Sequence, residues 1–502
     1  SLLIEYTNSI INTSDQYTCI SRPRRFGKST DADMLVAYYS KECNSHELFD
    51  DLKISECQDY EEHLNKHHVI YMDMQQFYSL TPDIDDMIKN INISISRELV
   101  KAFPDVDYLN KNELYYVLSD IFLAREETFI FIVDEWDCIF REYKQDKEAQ
   151  EKYLDFLRDL LKDKACIYLS YMTGILPIKK LKTQSALNNF EEFTMLDAGR
   201  MAPYVGFTEE EVHGLCEQYG CSYEQVKSWY DGYLLEDYQV YNPKAVVSVM
   251  LNGKYKSYWS NTGSYEAIVP LINMDFDGLK SAIIEMLSGA SVEVDVTSFQ
   301  NDTVSFANRD DVLTYLIHLG YLGYDREEES AFIPNYEVKK AYQAALCTGN
   351  WGKIGKSIAR CDELLRATIN CDSDKVAEII ELAHESYTSV LRYNDENSLS
   401  CVLTMAYFTA PAYYNIVREM PAGKGYADMV FIPRENAGKR PAIIIELKCD
   451  KTAEAAVKQI KDRHYEGALA GYKGKLLLVG INYDSQNGKK KHHTCVIEEY
   501  EK

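Results

Sequence analysis

Four short apolar runs, separated by stretches of helical periodicity, organise the first 200 residues. YTCIS (17–21), HVIYMDM (68–74), TFIFIVDEWD (128–137) and CIYLSYMTG (166–174) each read as a buried strand. Between them, DIDDMIKNINISISRELVKAF (83–103) and AQEKYLDFLRDLLKD (149–163) repeat their apolar positions at three and four residues, as amphipathic helices do. Strand and helix in alternation predict an α/β domain with a parallel sheet. Beyond residue 200 the pattern changes. GFTEEEVHGLCEQYG (206–220) opens with Thr208 and Glu211 in the spacing of a capping box, and Tyr-rich helical patterns continue to about residue 385. Strands return in NIVREM (415–420), ADMVFIP (427–433), PAIIIELKC (441–449) and KLLLVGINY (475–483), with a helix, AEAAVKQIKDRHYEGALA (453–470), before the last of these. The expected organisation is a parallel-sheet domain at 1–200, a mostly helical middle domain at 201–385 and a second α/β domain at 386–502.

Composition narrows the class. A chain of 502 residues exceeds one comfortable core, and 46% apolar with 26% charged residues is ordinary for a globular protein. No run approaches the ~18 apolar residues of a membrane span. The start, SLLIEYTNSIINTSDQ, lacks the basic flank and apolar run of a secretory signal. The 13 cysteines are scattered, with none in CxxC spacing, which predicts reduced thiols in a cytoplasm. The net charge of −25 argues against broad polyanion binding. That charge is uneven: residues 392–502 carry about +3, leaving about −28 to the rest.

SRPRRFGKST (21–30) lies between a predicted strand and a predicted helix, the context in which a Gly-rich loop cradles phosphates on backbone amides and a helix N-terminus. Lys28 suits the β/γ-phosphates and Ser29 a Mg²⁺ ion, although the strict pattern has Gly where this chain has Arg22. In IFIVDEWD, Asp134 and Glu135 end a buried strand, where ligands of open α/β sheets sit. Asp134 suits Mg²⁺ holding and Glu135 suits polarising a water, while Thr173, ending the next strand, is placed to sense the γ-phosphate or simply to cap a turn.

Near the C-terminus, Asp428 lies at a strand start, and Glu446 and Lys448 stand two apart on the next strand, so both side chains share one face. Asp428, Glu446 and the Leu447 carbonyl make a hard-oxygen set for Mg²⁺ or Mn²⁺. Lys448 can orient a water and stabilise charge on a phosphorane. Two opposite charges inside an apolar strand are costly to bury, which sets them apart from an ordinary edge-strand ion pair. Glu396, opening the helical stretch before the strands, is a candidate further carboxylate, and Gln459, with Lys458 beside it, a candidate contact to the site or substrate. GKKKHH (488–493) reads as a charged hairpin tip.

These marks resemble the bacterial AAA-ATPase-like proteins with a C-terminal PD-(D/E)XK nuclease domain. The resemblance runs through RPRRFGKS (22–29), VDEWD (133–137), TGILPI…ALNNF (173–190), GFTEEEV (206–212), WYDGY (229–233), VYNP (240–243), YWSNTG (258–263), DENS (395–398), GYAD (425–428), IIIELK (443–448) and the Gln459 helix. Trp136 stands where that family more often has Tyr. The resemblance implies a P-loop, AAA/RecA-like first domain and a restriction-endonuclease-like last domain. It implies ATP and Mg²⁺ binding by Arg24, Arg25, Phe26, Gly27, Lys28, Ser29, Thr30 and Asp134, with Glu135 catalytic. Asp428, Glu446 and Lys448 are implied as the nuclease core, with Glu396 and Gln459 supporting, Mg²⁺ or Mn²⁺ as the ion, and nucleic acid, DNA before RNA, as partner. The expectation is an ATP-hydrolysing protein that cleaves phosphodiesters. The alternative is a signalling or scaffold ATPase whose nuclease-like domain binds without cutting. The oligomeric state stays open.

Overall fold

The computed structural model describes residues 1–500 apart from 179, 182–183, 186, 260–263, 301–305, 349–350, 388–395, 423–424, 435–437, 466–468, 470–471, 473 and 485–491. The chain divides into two compact units, Ser1–Ser264 with Glu293–Lys339, and Tyr265–Val292 with Lys340–Lys502. The segment expected as a middle domain, 201–385, is thus shared between the two.

The first unit is built on five parallel strands: β1 (Tyr17–Ser21), β2 (His68–Asp73), β3 (Phe129–Asp134), β4 (Ile167–Gly174) and β5 (Glu191–Phe193), in the order β2-β3-β4-β1-β5. All of β1 and β3 is buried, as expected for strands covered on both faces. The four apolar runs of the sequence became β1 to β4. The three-residue β5 carries no period of its own, and its pairing with Thr18–Ile20 fixes it. Helix α1 (Lys28–Tyr39) follows β1. Helix α2 (Ile84–Ala102) buries Ile84, Met87, Ile91 and Leu99 along one stripe, and Asp83 caps it by accepting from the Asp86 amide. Helix α3 (Lys147–Leu161) is capped the same way by Asp146.

The capping box forms as expected: the Thr208 side chain accepts from the Glu211 amide and Glu211 reaches back, starting α4 (Glu209–Tyr219), which ends on Gly220 with φ 68°. The helical region also holds a small antiparallel sheet of Phe207–Thr208, Tyr238–Tyr241 and Tyr233–Leu235, and a hairpin of Gly323–Asp325 with Ser330–Phe332. The WYDGY segment enters that sheet at Tyr233 and VYNP leaves it after Tyr241; strands this short give too little alternation to be read from sequence.

The second unit centres on a mixed sheet, β6 (Tyr414–Ala422), β7 (Gly425–Pro433), β8 (Ala442–Cys449), β9 (Leu476–Tyr483) and β10 (His493–Tyr500), in sequential order. Only the β8–β9 pair is parallel, joined through helix α7 (Ala453–Asp462). Helices α5 (Ser373–Tyr387) and α6 (Glu396–Ala406) precede the sheet. Strand β10 was not expected from the sequence, because an edge strand reading HTCVIEEY is half polar. Ala442 and Ile444 of β8 pack with Val457 and Ile460 of α7. α7 comes so close to β9 that a Cβ on Gly480 would lie 2.1 Å from the Ala453 carbonyl oxygen. Gly480 is registered with Glu446, so this close approach sits beside the candidate site. Among the described residues, no helix is long and apolar enough to cross a membrane.

Candidate functional site

The loop from β1 to α1 ends on Gly27, which enters the helix with φ 94°, a conformation costly for any residue with a Cβ. Arg25, before it, also has positive φ, at 70°. Phe26 is buried edge-on to Tyr233, with ring centroids 5.4 Å apart. The Lys28 ammonium is buried and donates to the Arg22 and Pro23 carbonyls at 3.0 and 3.1 Å, bracing the loop in a cradle. Burial lowers the Lys28 pKa, opposed by the carboxylates of Glu135, Asp137 and Asp134. Ser29 and Thr30 are exposed at the helix start and Arg24 is exposed in the loop. The Arg25 guanidinium instead donates to the Tyr258 and Trp259 carbonyls at 3.4 and 3.1 Å, which ties the loop to that segment.

Arg22 does not face the loop cradle. It is fully buried, and its guanidinium donates to the carbonyls of Ser21, Phe193, Thr194 and Met201 at 3.0–3.3 Å. Burial pulls its pKa down to about 10, still charged at neutral pH. The residue at the position of the strict motif's first glycine is therefore a strut joining β1 to the turn after β5. Restoring the strict motif with Arg22→Gly should destabilise the protein by about 3 kcal/mol, because four carbonyl acceptors, three of them in buried bonds, lose a charged donor. Thermal unfolding checks this: the midpoint should fall by several degrees, and an unchanged midpoint would refute the strut.

Strand β4 lies between β1 and β3, so its end brings Thr173 beside the acids. The Thr173 hydroxyl donates to Asp134 Oδ1, which also accepts from the Glu135 amide at 2.9 Å. Glu135 has φ 53° and pairs with Arg141, which lies 3.3 Å from Asp137 on its other side. Asp137 in turn accepts from the Ile175 and Leu176 amides at 3.1 and 2.9 Å, fixing the loop after β4. Trp136 is fully buried, its amide donating to the Thr173 carbonyl at 2.9 Å, so the wider ring at this position serves packing. Burial raises the Glu135 pKa against the pull of Arg141. Sequence reasoning missed Arg141; its one signal was the i,i+4 spacing from Asp137.

In the second unit, the β7–β8 ladder pairs Met429 with Ile445 and stops there. At the next position the Asp428 side chain replaces a backbone partner, its Oδ2 accepting from the Leu447 amide at 2.6 Å. The sheet therefore opens where Asp428 and Glu446 meet. Glu446 is 2% exposed and lies on the α7 face. Its Oε1 accepts from Lys448 Nζ at 2.8 Å and from Gln459, one of the two residues expected to support the site. Lys448 also donates to the Leu447 carbonyl at 2.9 Å. Glu446 Oε2 is buried with no hydrogen-bond partner among the described residues. Burial raises the Glu446 pKa; Lys448 opposes this and Asp428 reinforces it. Lys458 is exposed on α7. Glu396 is the first residue of α6, but its side chain, like 488–491 of the basic run, lies outside the described residues.

A buried carboxylate oxygen lacking a donor, beside a second carboxylate and a carbonyl, fits a divalent cation. Among the described residues no three His, Cys, Asp or Glu side chains gather into a metal cluster. In metal-free protein, the stability that protonated Glu446 contributes is complete below the ordinary glutamate value near 4.3 and is lost as pH rises through its raised folded value. Glu446→Gln should therefore melt above wild type at pH 8 without metal, with the gap closing as pH falls. Mn²⁺ should raise the wild-type midpoint but not that of the variant. A wild-type midpoint insensitive to Mn²⁺ would contradict the cation site.

Comparison with known proteins follows the same division. A family described as predicted AAA-ATPase matches residues 4–183, and the PD-(D/E)XK nuclease superfamily matches residues 394–493. A protein of Azotobacter chroococcum mcd 1, described as an uncharacterized protein in the vnfD 5'region, is 24% identical over 260 residues, 50% of this chain and 48% of that protein. The chain thus matches about half the length of that relative. Among solved structures, the Aeropyrum pernix ORC1 protein in complex with DNA aligns over 84% of this chain and 85% of its own, at 11% identity and TM-score 0.24. The Aeropyrum pernix ORC2 protein aligns over 69% and 92%, at 11% identity and TM-score 0.28. Both superpositions are too loose to carry an argument. By these two matches, residues 4–183 are similar to the predicted AAA-ATPase family and residues 394–493 to the PD-(D/E)XK nuclease superfamily.

Proposed function

We propose that this protein binds and hydrolyses ATP in its first unit and cleaves phosphodiesters of nucleic acid, DNA in preference to RNA, in its second. The observation that carries the reading is the buried Glu446 carboxylate, with one oxygen held by Lys448 and Gln459 and the other open beside Asp428. Asp428, Glu446 and the Leu447 carbonyl would hold Mg²⁺ or Mn²⁺, which when bound supplies a Lewis acid. Lys448 orients the attacking water and stabilises negative charge developing on phosphorus. Gln459 fixes the rotamer of Glu446, and Glu396 is a candidate further carboxylate from α6.

In the first unit, the amides after Gly27, with Lys28, Ser29 and Thr30, would hold the phosphates of ATP, and Ser29 and Asp134 its Mg²⁺. The buried Lys28 ammonium, braced on the Arg22 and Pro23 carbonyls, and the Asp134–Thr173 pair support that fit. Glu135 polarises the attacking water once released from Arg141. Arg25 holds the loop in place through the Tyr258 and Trp259 carbonyls rather than touching phosphate.

Purified protein incubated with duplex DNA and with RNA, with and without Mg²⁺ or Mn²⁺ and ATP, tests the reading. Cutting that requires the metal and Lys448 supports it. ATP hydrolysis without any cleavage would favour the reading of a signalling or scaffold ATPase.

A further inference from the structure

The GYAD segment contributes Asp428 to the site, and its glycine has a separate geometric role. A Cβ on Gly425 would lie 2.8 Å from Arg463 Nη1, 3.0 Å from the Tyr465 hydroxyl and 3.4 Å from Arg463 Cδ. The missing side chain therefore makes room for a guanidinium. Arg463 stands four residues after Gln459, one helical turn along the same face, and closes α7 with its amide on the Gln459 carbonyl at 3.0 Å. Gln459 is the residue that touches Glu446. A cation at a helix C-terminus is also favoured by the helix dipole.

Arg463 is steadied from one side only. Its Nη1 donates to the Tyr465 hydroxyl at 3.2 Å, and that fully buried tyrosine also accepts from Gln459 at 3.4 Å. The rest of the side chain is exposed, and among the described residues Arg463 is in no ion pair. Of the neighbouring cations, Lys461 is paired with Glu498 and Lys475 with Glu499. The bond to Tyr465, and then the Glu446 carboxylate, hold the Arg463 pKa above its usual range, so the two charges sense each other. An unneutralised, planar, five-donor cation one turn from a phosphodiester-cleaving site, held over a glycine, matches a phosphate oxyanion in charge and geometry.

We propose that Arg463 is a phosphate-binding residue of the C-terminal site, gripping a backbone phosphate of the nucleic acid beside the bond to be cut. The proposal rests on the nuclease reading. Gln459 and Tyr465 then connect two tasks: Gln459, which holds Glu446, also donates to the Tyr465 hydroxyl that positions the substrate clamp.

Fluorescence anisotropy of a labelled duplex DNA oligonucleotide, without divalent metal and from 50 to 200 mM salt, tests it. Arg463→Ala should weaken binding about tenfold and reduce the slope of log K against log salt by about 0.9, the loss of one phosphate contact. Arg463→Lys should keep most of the slope, and Gly425→Ala, which displaces the guanidinium, should shift binding the same way as Arg463→Ala. An Arg463→Ala slope equal to wild type, in protein whose wild-type form binds and cuts DNA through Lys448, overturns this assignment alone. Wild-type protein that neither binds nor cuts overturns the nuclease reading and the assignment with it.

Discussion

Lys448→Ala protein should lose metal-dependent cleavage by roughly 10²–10³-fold in kcat while hydrolysing ATP at the wild-type rate. Among the described residues Lys448 is the one cation that touches the buried carboxylate: its Nζ lies 2.8 Å from Glu446 Oε1 and 2.9 Å from the Leu447 carbonyl. Removing it takes away the group proposed to orient water and stabilise charge, and among the described residues leaves Glu446 with Gln459 alone. Breaking a buried pair costs about 3–5 kcal/mol where nothing replaces it. Gln459 already donates to the same oxygen, so the smaller end of that range applies. Unchanged ATP turnover in the variant would show the first unit intact, since the proposed ATPase acids and Lys28 lie there. Cleavage retained at the wild-type rate would remove Lys448 from the mechanism.

Glu135→Gln should bind ATP as wild type does and slow single-turnover hydrolysis by about 10²–10⁴-fold, the usual contribution of a positioned general base. Asp134 and Glu135 are adjacent yet differently held. Asp134 is buried and committed to the Thr173 hydroxyl and the Glu135 amide. Glu135 turns out of the strand at φ 53° into partial exposure, where Arg141 grips it. Burial raises its pKa, so the acid limb of the wild-type rate profile should lie above the ordinary glutamate value near 4.3. Hydrolysis should rise with pH as Glu135 loses its proton, and the variant should lack that limb. Lys28→Ala, by contrast, should lose ATP binding itself. Equal hydrolysis by Glu135→Gln and wild type would assign the base elsewhere.

The long apolar strands of both units were legible because buried strands leave a continuous signal: FIFIVD, IYLSYMTG and AIIIELKC all lie where the pattern put them. Glu446 and Lys448 were legible for the same reason, as charges interrupting such a strand. Strand β5 and the small sheet around VYNP were not, since two to four residues carry no period and tertiary pairing decides them. Side-chain commitments were the least legible. Within RPRRFGKS, Arg22 and Arg25 are chemically alike, yet both spend their guanidinia on carbonyls distant in sequence. Arg141 and Arg463 entered the sites through helix geometry and a neighbouring glycine rather than through a motif.

The central claim is that Asp428 and Glu446 form a divalent-metal site. Crystals soaked in Mn²⁺, with anomalous diffraction recorded at the manganese edge, test it most directly. The account predicts an anomalous peak between the Asp428 and Glu446 carboxylates, in reach of the Leu447 carbonyl and lost in Glu446→Gln crystals. A map with no peak there, from wild-type crystals in saturating Mn²⁺, would contradict it.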